Sequence, residues 1–271
     1  MTAARTAKSL LAGLALAALI ATPLRAETPR DLRLSYMVWI GGFNSLGIEA
    51  RLQHTETSYR VGLEGRSRGL LGWLWPYRLR LESEGRRAPD RLTPRRFRQA
   101  EGQTGERRRE IRYLGNGALE LSLDGRTTPL ERDGLSENLV RGALDPASAV
   151  LSIIEVFARE SRCLRSLPVF DGKRRYDLKL IAEEQRSLAP SRYGVYSGPA
   201  TLCRLAVEKH AGFRKRGRFP KAFDVWLAPA AEGAPALPVR LEGRNDLAPM
   251  IIHLTAAQTS GTAKQARRSG P

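Results

Sequence analysis

Residues able to carry out catalysis or to bind a metal are few and scattered along the chain. The three histidines, His54, His210 and His253, have no carboxylate, cysteine or second histidine at the spacing of metal ligands. No Gly-x-Ser-x-Gly segment and no phosphate-binding glycine loop occurs. Glu183 and Glu184 are adjacent at a predicted strand end, so they point to opposite faces, whereas a catalytic carboxylate pair must face one gap. We therefore assign no catalytic residue, no metal and no cofactor. An enzyme assembled from distant residues is the alternative.

The two cysteines, Cys163 and Cys203, form an isolated pair. In an oxidising compartment such a pair usually becomes a disulfide. Closing a loop of about 40 residues in this way stabilises a fold by roughly 3–4 kcal/mol. A redox-active pair, which is the functional alternative, is typically spaced as Cys-x-x-Cys. The spacing therefore favours a structural bridge.

Two segments concentrate large apolar side chains near predicted hairpin ends. Residues 70–77 are apolar on both faces, unlike their neighbours, and residues 39–43 form the second segment. Tryptophan at such places inserts at a membrane interface, lines a lipid pocket or closes a core, and the sequence leaves all three open. The candidate ligand-binding residues here are Trp39, Phe43, Leu71, Trp73, Trp75 and Tyr77.

Most of the chain alternates apolar and polar residues with a period of two. The segments Leu32–Ile40, Tyr77–Glu84 and Leu119–Leu123 each place apolar side chains on one face. Such alternation is typical of antiparallel strands with one buried and one solvated face. About a dozen such strands, separated by Gly, Pro, Asp or Asn, predict one large sheet. A sheet of this size avoids exposed edges by rolling up.

One segment has a helical period instead. Asp145 suits an N-cap and Pro146 suits the first helical position. We therefore predict a helix from Pro146 to Glu160, packed on the sheet or plugging one end of it. The predicted fold class is mainly β, a large curved antiparallel sheet, half-barrel or barrel-like, with one central helix. The apolar residues that share one side of this helix are Val150, Ile153, Ile154 and Phe157.

The chain has a formal net charge of +17, and nearly all of the positive charge is arginine. A GC-rich genome that encodes Arg in place of Lys accounts for this without a selected basic surface. The densest region, residues 86–112, would still favour phosphate groups through bidentate guanidinium contacts. No helix-turn-helix, zinc-finger or base-stacking pattern accompanies it, so we expect no nucleic-acid partner. A lipid head group is the more natural anion outside the cytoplasm.

Residues 1–26 have the parts of a cleavable secretory signal peptide. Arg5 and Lys8 give a positive start, residues 10–21 form an uncharged apolar run, and Ala26 ends the segment. The run is shorter than the roughly 20 apolar residues that span a bilayer, although a membrane anchor is the alternative. We predict a periplasmic location, a single β-rich domain over residues 27–256 and a disordered basic tail over residues 257–271.

Several short motifs resemble one known family. The longest is residues 167–178, LPVFDGKRRYDL; the others are residues 145–149, 196–203, 225–228 and 238–240. Together they resemble the domain of unknown function 3108 family, found in exported proteins of Gram-negative bacteria. The resemblance extends from about Leu32 to Thr255. It implies a periplasmic β-rich domain with no established activity, and an architecture similar to that of lipoprotein carriers with half-barrel folds.

The longest motif has two interpretations. As structure, it predicts two strands joined by a turn at Asp171 and Gly172. As function, its charged residues form a polar site at the mouth of a cavity. We retain Arg174 and Arg175 as candidate ligand-binding residues that attract a head group.

Two functional classes remain. The first is a periplasmic binding or carrier protein for a lipid-like or other amphipathic ligand in the cell envelope. It predicts a sizeable cavity with Arg at its rim, guarded by the Trp73–Trp75 segment. The second is a non-catalytic structural or interaction protein of the envelope, whose basic face docks on an anionic membrane surface or an envelope protein. We favour the first, because a single sheet this large is hard to fill completely.

Overall fold

The computed structural model describes residues 30–103, 105–213, 219–230, 235–244 and 249–259. The predicted signal peptide lies outside the described residues, as does the predicted tail from residue 260 onward. Residues 257–259 of that tail are instead part of the last strand, because they pair with the first strand. Within the described ranges, no helix combines the length and hydrophobicity that crossing a bilayer requires.

Fourteen strands form one antiparallel sheet that is not closed, with the spatial order β8-β7-β6-β5-β4-β3-β2-β1-β14-β13-β12-β11-β10-β9. The strands are β1 (Arg30–Ile40), β2 (Phe43–His54), β3 (Ser58–Ser67), β4 (Arg78–Arg87), β5 (Leu92–Gly102), β6 (Arg107–Tyr113), β7 (Leu119–Leu123), β8 (Arg126–Thr128), β9 (Ser166–Phe170), β10 (Arg175–Leu188), β11 (Gly198–Ala211), β12 (Ala222–Pro229), β13 (Ala236–Arg244) and β14 (Met250–Thr259). The helices are α1 (Gly69–Leu74), α2 (Glu137–Val140) and α3 (Pro146–Glu160).

The mainly β class, the large antiparallel sheet and the helix over residues 146–160 are confirmed. The sequence analysis expected one helix, and the structure adds α1 and α2. Both are too short to show a helical period against the alternating background.

The period-two pattern builds the inner face of the sheet. Phe97, Ile111 and Leu121 face one another across β5, β6 and β7, and each is at most 1% exposed. The residues beside them in the chain, such as Arg96 and Arg112, point outward, because successive side chains of a strand alternate between faces. The apolar half of the pattern is therefore buried inside the rolled sheet.

The two edges of the sheet are joined by the segment that follows β8, not by strand pairing. Leu144 forms a parallel bridge with Val169 of β9, the other edge strand. Upstream, the Arg132 guanidinium donates to the Gly172 carbonyl at 3.3 Å, and Gly212 N donates to the Asp133 carbonyl at 3.1 Å. This segment covers the seam, so the roll is held together without being a closed barrel.

Helix α3 lies between the two halves of the roll and contacts β3, β4, β5, β9 and β13. On one side, Leu151 and Ile154 pack into the core built mainly on β1–β8. On the other side, Ala149 and Ile153 pack into a second core around the disulfide. The helix ends at Ser161, which adopts the left-handed conformation with φ 51°.

The structure contains the predicted disulfide between Cys163 and Cys203, whose Cα atoms are 5.7 Å apart. Both residues are buried, and the bridge ties the chain just after α3 to β11. The carboxylate of Glu183 accepts a hydrogen bond from Cys163 N at 3.2 Å. Glu183 lies within β10, which continues to Leu188, and not at a strand end as the sequence suggested.

We predict that replacing both cysteines, Cys163→Ala and Cys203→Ala, lowers the free energy of unfolding by about 3–4 kcal/mol, because the unfolded chain loses a loop constraint. Urea unfolding followed by circular dichroism measures the change. Reductant should destabilise the wild type by a similar amount and leave the double variant unchanged. Coincident unfolding curves for wild type and variant would show that the bridge does not stabilise the fold.

Candidate ligand-binding cleft

The predicted aromatic residues occupy different environments at the upper end of the sheet, where β1 ends and β2 begins. Trp39 is partly buried and its ring centroid lies 4.1 Å from that of Tyr193. Phe43, Trp73 and Trp75 are exposed by 71%, 79% and 61%. The Leu71 side chain lies outside the described atoms.

Tyr77 and the two predicted arginines have partners within the protein. Burial and the hydrogen bond that the Tyr77 hydroxyl donates to Glu101, at 2.8 Å, raise the pKa of Tyr77. Arg175 is 8% exposed, and its Nε donates to the Leu139 carbonyl of α2 at 2.9 Å. The Arg174 guanidinium lies 5.1 Å from the centre of the Phe219 ring. These contacts hold Tyr77, Arg174 and Arg175 against neighbouring segments, and ligand binding by these residues stays a prediction.

Asp171 and Gly172 form the turn between β9 and β10. The Asp171 carboxylate accepts hydrogen bonds from the backbone N–H groups of Lys173 at 2.9 Å and Arg174 at 2.6 Å. Gly172 has φ 81°, a conformation that glycine adopts without the steric cost of a Cβ. The turn between β9 and β10 therefore explains the presence of Asp171 and Gly172 in the motif.

A cleft of about 730 Å³ lies at the opposite, lower end of the sheet, where β2 and β6 end and β3 begins. We call it the basic cleft, because four guanidinium groups and two tyrosines are among its lining residues. The residues that line it are Gln53, His54, Thr55, Ser58, Tyr59, Arg60, Glu84, Gly85, Arg95, Arg96, Arg112, Tyr113 and Leu114.

Tyr59 and Tyr113 separate the basic cleft from a buried polar network at the start of α3. The hydroxyl groups of Tyr59 and Ser148 are 2.7 Å apart, and those of Ser148 and Ser83 are 2.9 Å apart. The Tyr113 hydroxyl is buried close to Asp145. Burial, reinforced by the nearby Asp145 carboxylate, raises the pKa of Tyr113 well above its usual value. The Tyr113 hydroxyl therefore belongs to the same buried network as that of Tyr59.

Asp145 is the centre of this network and is fully buried. One carboxylate oxygen accepts from Ala147 N at 3.0 Å and Ser148 N at 2.9 Å, which caps α3. The other oxygen accepts from the hydroxyls of Ser148 at 2.7 Å and Ser83 at 2.9 Å. Burial raises the pKa of Asp145, and the four hydrogen bonds oppose that rise. The network joins α3 to the inner face of β4.

Three of the four arginines at the cleft are neutralised by glutamates on the outer face. Arg60 pairs with Glu84 at 2.9 Å, and Arg96 pairs with Glu110 at 3.0 Å. Arg112 also pairs with Glu110, at 2.7 Å. In contrast, Arg95 is exposed and forms no ion pair with any residue that the structure describes. It is the guanidinium at this cleft that remains available to an anion.

The sequence pattern alone did not reveal this site. Asp145 matches a helix cap in the sequence, and no local pattern connects it to Ser83, Tyr59 or Tyr113. One signal was present, since Ser83 continues the apolar face formed by Leu79 and Leu81 and is itself 2% exposed. A polar residue at a core position needs a buried hydrogen-bond partner. The identity of that partner depends on how the sheet rolls, which the sequence does not show.

The arginine side chains at the cleft can contact an anion. Guanidinium groups bind carboxylates and phosphates, and Leu114 adds exposed apolar area beside them. Over the described parts of the chain, no group of three or more His, Cys, Asp or Glu residues is arranged to hold a metal ion.

We predict that Asp145→Ala lowers the free energy of unfolding by about 2–4 kcal/mol, because it removes the α3 cap and leaves buried donors without an acceptor. Asp145→Asn, which retains one acceptor oxygen, should cost less. The control is Ser136→Ala at the exposed cap of α2, which should cost less than about 1 kcal/mol. Urea unfolding compares the three; equal losses for Asp145→Ala and Ser136→Ala would contradict a central role for the network.

Comparison with known proteins agrees with this description of the fold. A solved structure with a similar fold is a β-barrel-like protein of domain of unknown function DUF1849 from Brucella abortus. It aligns with a TM-score of 0.51 over 85% of this chain and 97% of its own, at 11% identity, so the likeness concerns the fold alone.

A search of curated proteins gave no match. The family model described as protein of unknown function (DUF3108) matches residues 35–248, and this agrees with the resemblance seen in the sequence motifs. Because the match spans most of the chain, the protein belongs to the DUF3108 family.

Proposed function

We propose that the protein is an exported binding protein that holds an acidic amphipathic ligand, such as a lipid, in the basic cleft. The observation that carries the proposal is the composition of the cleft. It combines the unpaired guanidinium of Arg95 with the partly buried ring of Tyr113 and the exposed side chain of Leu114. Such a surface matches a ligand that has an anionic head and an apolar body.

Export is supported by two separate features. The first 26 residues have the pattern of a signal peptide. The disulfide between Cys163 and Cys203 is of the kind that forms in oxidising compartments such as the bacterial periplasm. A periplasmic binding protein has access to envelope lipids and their acidic precursors or fragments.

The alternative, an envelope protein that docks through a wide basic face, is weakened by how the outer face is built. Several arginines of β3–β6 pair with glutamates on neighbouring strands. Arg80 pairs with Glu64 at 3.1 Å, and Arg98 pairs with Glu82 at 3.8 Å. These cross-strand pairs lower the positive potential of the face, so the high arginine content does not produce an uninterrupted basic surface.

The binding proposal is tested with a lysophospholipid of defined charge. Titration calorimetry and native mass spectrometry of the mature protein should show a one-to-one complex with lysophosphatidylglycerol and weaker binding of zwitterionic lysophosphatidylcholine. Arg95→Glu should weaken the anionic complex about tenfold or more, equivalent to about 1.4 kcal/mol. The control is Arg126→Glu on β8, which makes the same charge change outside the cleft and should alter binding less than about twofold.

Equal weakening by Arg95→Glu and Arg126→Glu would indicate general charge attraction and refute the cleft as the site. A wild-type protein that forms no complex with either lipid would refute the proposed function. If the wild-type protein binds the anionic lipid, lipid extraction of protein purified from the periplasm would identify the natural ligand.

Export is tested separately by the mass of the protein recovered from the periplasm. We expect the chain to begin at Glu27 and to be about 2 Da lighter than the reduced chain, because the disulfide forms after translocation. A protein that retains residues 1–26, or that stays in the cytoplasm, would contradict export through a cleavable signal.

A further inference from the structure

The exposed large apolar side chains of the described residues are concentrated at the upper end of the sheet. We call this group the aromatic tip. Trp73 and Phe43 are the most exposed, at 79% and 71%. The remaining exposed apolar residues are single and lie elsewhere, for example Ile181 in β10 and Val150 in α3. The aromatic tip consists of Ile40, Phe43, Trp73, Leu74 and Trp75.

Two separate chain segments build the aromatic tip, and the backbone holds them together. One is the β1–β2 turn at Gly41 and Gly42; the other is α1, between β3 and β4. Arg68 N donates to the Ser45 carbonyl at 3.1 Å, which attaches the start of α1 to β2. The proximity of the β1–β2 turn to α1, and so of Phe43 to the segment that carries Trp73, is therefore part of the folded structure.

The side chain of Arg68 adds a second link. Gly47 of β2 leaves room for it, since a Cβ at this position would lie 2.4 Å from Arg68 Nε. The Arg68 side chain therefore lies against β2 at Gly47. This contact places a positive charge beside the strand that begins at Phe43.

The charge next to the aromatic tip is positive. Residues 65–81 contain four Arg and no Asp or Glu. Arg66 and Arg80 approach Glu64 at 3.7 Å and 3.1 Å. Arg68 and Arg78 are exposed and form no ion pair with any residue in the described ranges. Two available guanidinium groups thus flank the exposed aromatic side chains.

We propose that the aromatic tip docks the protein on a bilayer that contains anionic lipids. Trp73, Trp75 and Phe43 insert at the boundary between head groups and acyl chains, where aromatic side chains are favoured. Arg68 and Arg78 contact the lipid phosphates, because juxtamembrane cations are attracted to an anionic surface. The tip is an exposed projection flanked by cations, which matches a lipid surface better than an apolar protein groove.

Docking in this way leaves the basic cleft accessible. The cleft begins at Ser58 and Tyr59, at the start of β3, whereas α1 follows Ser67 at its end. Ten extended residues span about 30 Å. The two sites are therefore at opposite ends of the same strands, and the membrane proposal stands whether or not the cleft binds a lipid.

Co-sedimentation with vesicles tests the proposal. The mature protein should bind to mixed vesicles of phosphatidylcholine and phosphatidylglycerol. It should bind much less to vesicles of phosphatidylcholine alone. Trp73→Ala with Trp75→Ala should reduce binding about tenfold or more, while Trp73→Phe with Trp75→Phe retains most of it. The control is Ile181→Ala on β10, an apolar residue that is about as exposed as Trp75, and this change should leave binding unchanged.

The arginines are examined in the same assay. Arg68→Glu with Arg78→Glu should abolish the preference for anionic vesicles, whereas Arg126→Glu on β8, which lies outside both the cleft and the aromatic tip, should not change vesicle binding. Wild-type protein that remains in solution with both kinds of vesicle overturns the proposal. So does binding that Trp73→Ala with Trp75→Ala leaves unchanged in a protein whose circular dichroism spectrum matches the wild type.

Discussion

The apolar inner face of the sheet is the constraint on which the rest of the structure depends. Fourteen strands with a period-two pattern produce an apolar surface that water must not reach, and rolling brings both halves of the sheet onto α3. The helix can serve both halves because Leu151 and Ile154 point to one core and Ala149 and Ile153 to the other. Its position is set by Asp145, whose buried carboxylate is acceptable only because four donors surround it.

The roll remains open along one seam, and other contacts replace strand pairing there. The segment from β8 to α3 crosses the seam and bridges to β9 through Leu144. The disulfide then fixes the chain that leaves α3 to β11, on the second half of the sheet. The disulfide stabilises the roll at this point, because an open roll lacks the continuous hydrogen bonding that holds a closed barrel together.

The abundance of arginine has a structural explanation on part of the surface. On the outer face of β3–β6, cross-strand pairs with glutamate neutralise several guanidinium groups, those of Arg60, Arg80, Arg96 and Arg98, so that net charge is a poor guide to where an anion binds. Arg95 at the basic cleft, and Arg68 and Arg78 beside the aromatic tip, form no ion pair with a described residue. Both proposals, for the cleft and for the membrane, rest on these exceptions to the pairing and on the aromatic side chains next to them.

The sequence by itself determined the strand-rich class, the helix over residues 146–160, the disulfide partners and the family, because these depend on local periodicity, spacing or short motifs. It did not determine which residues meet. Tyr59, Ser83, Tyr113 and Asp145 are spread over 87 positions and converge only when β3, β4 and β6 curve around the start of α3. Likewise, the sequence left the Trp73 segment open between core, pocket and membrane, and the fold places Trp73 in solvent because α1 lies beyond the end of the sheet. Long-range pairing decides such neighbours, and no local pattern encodes it.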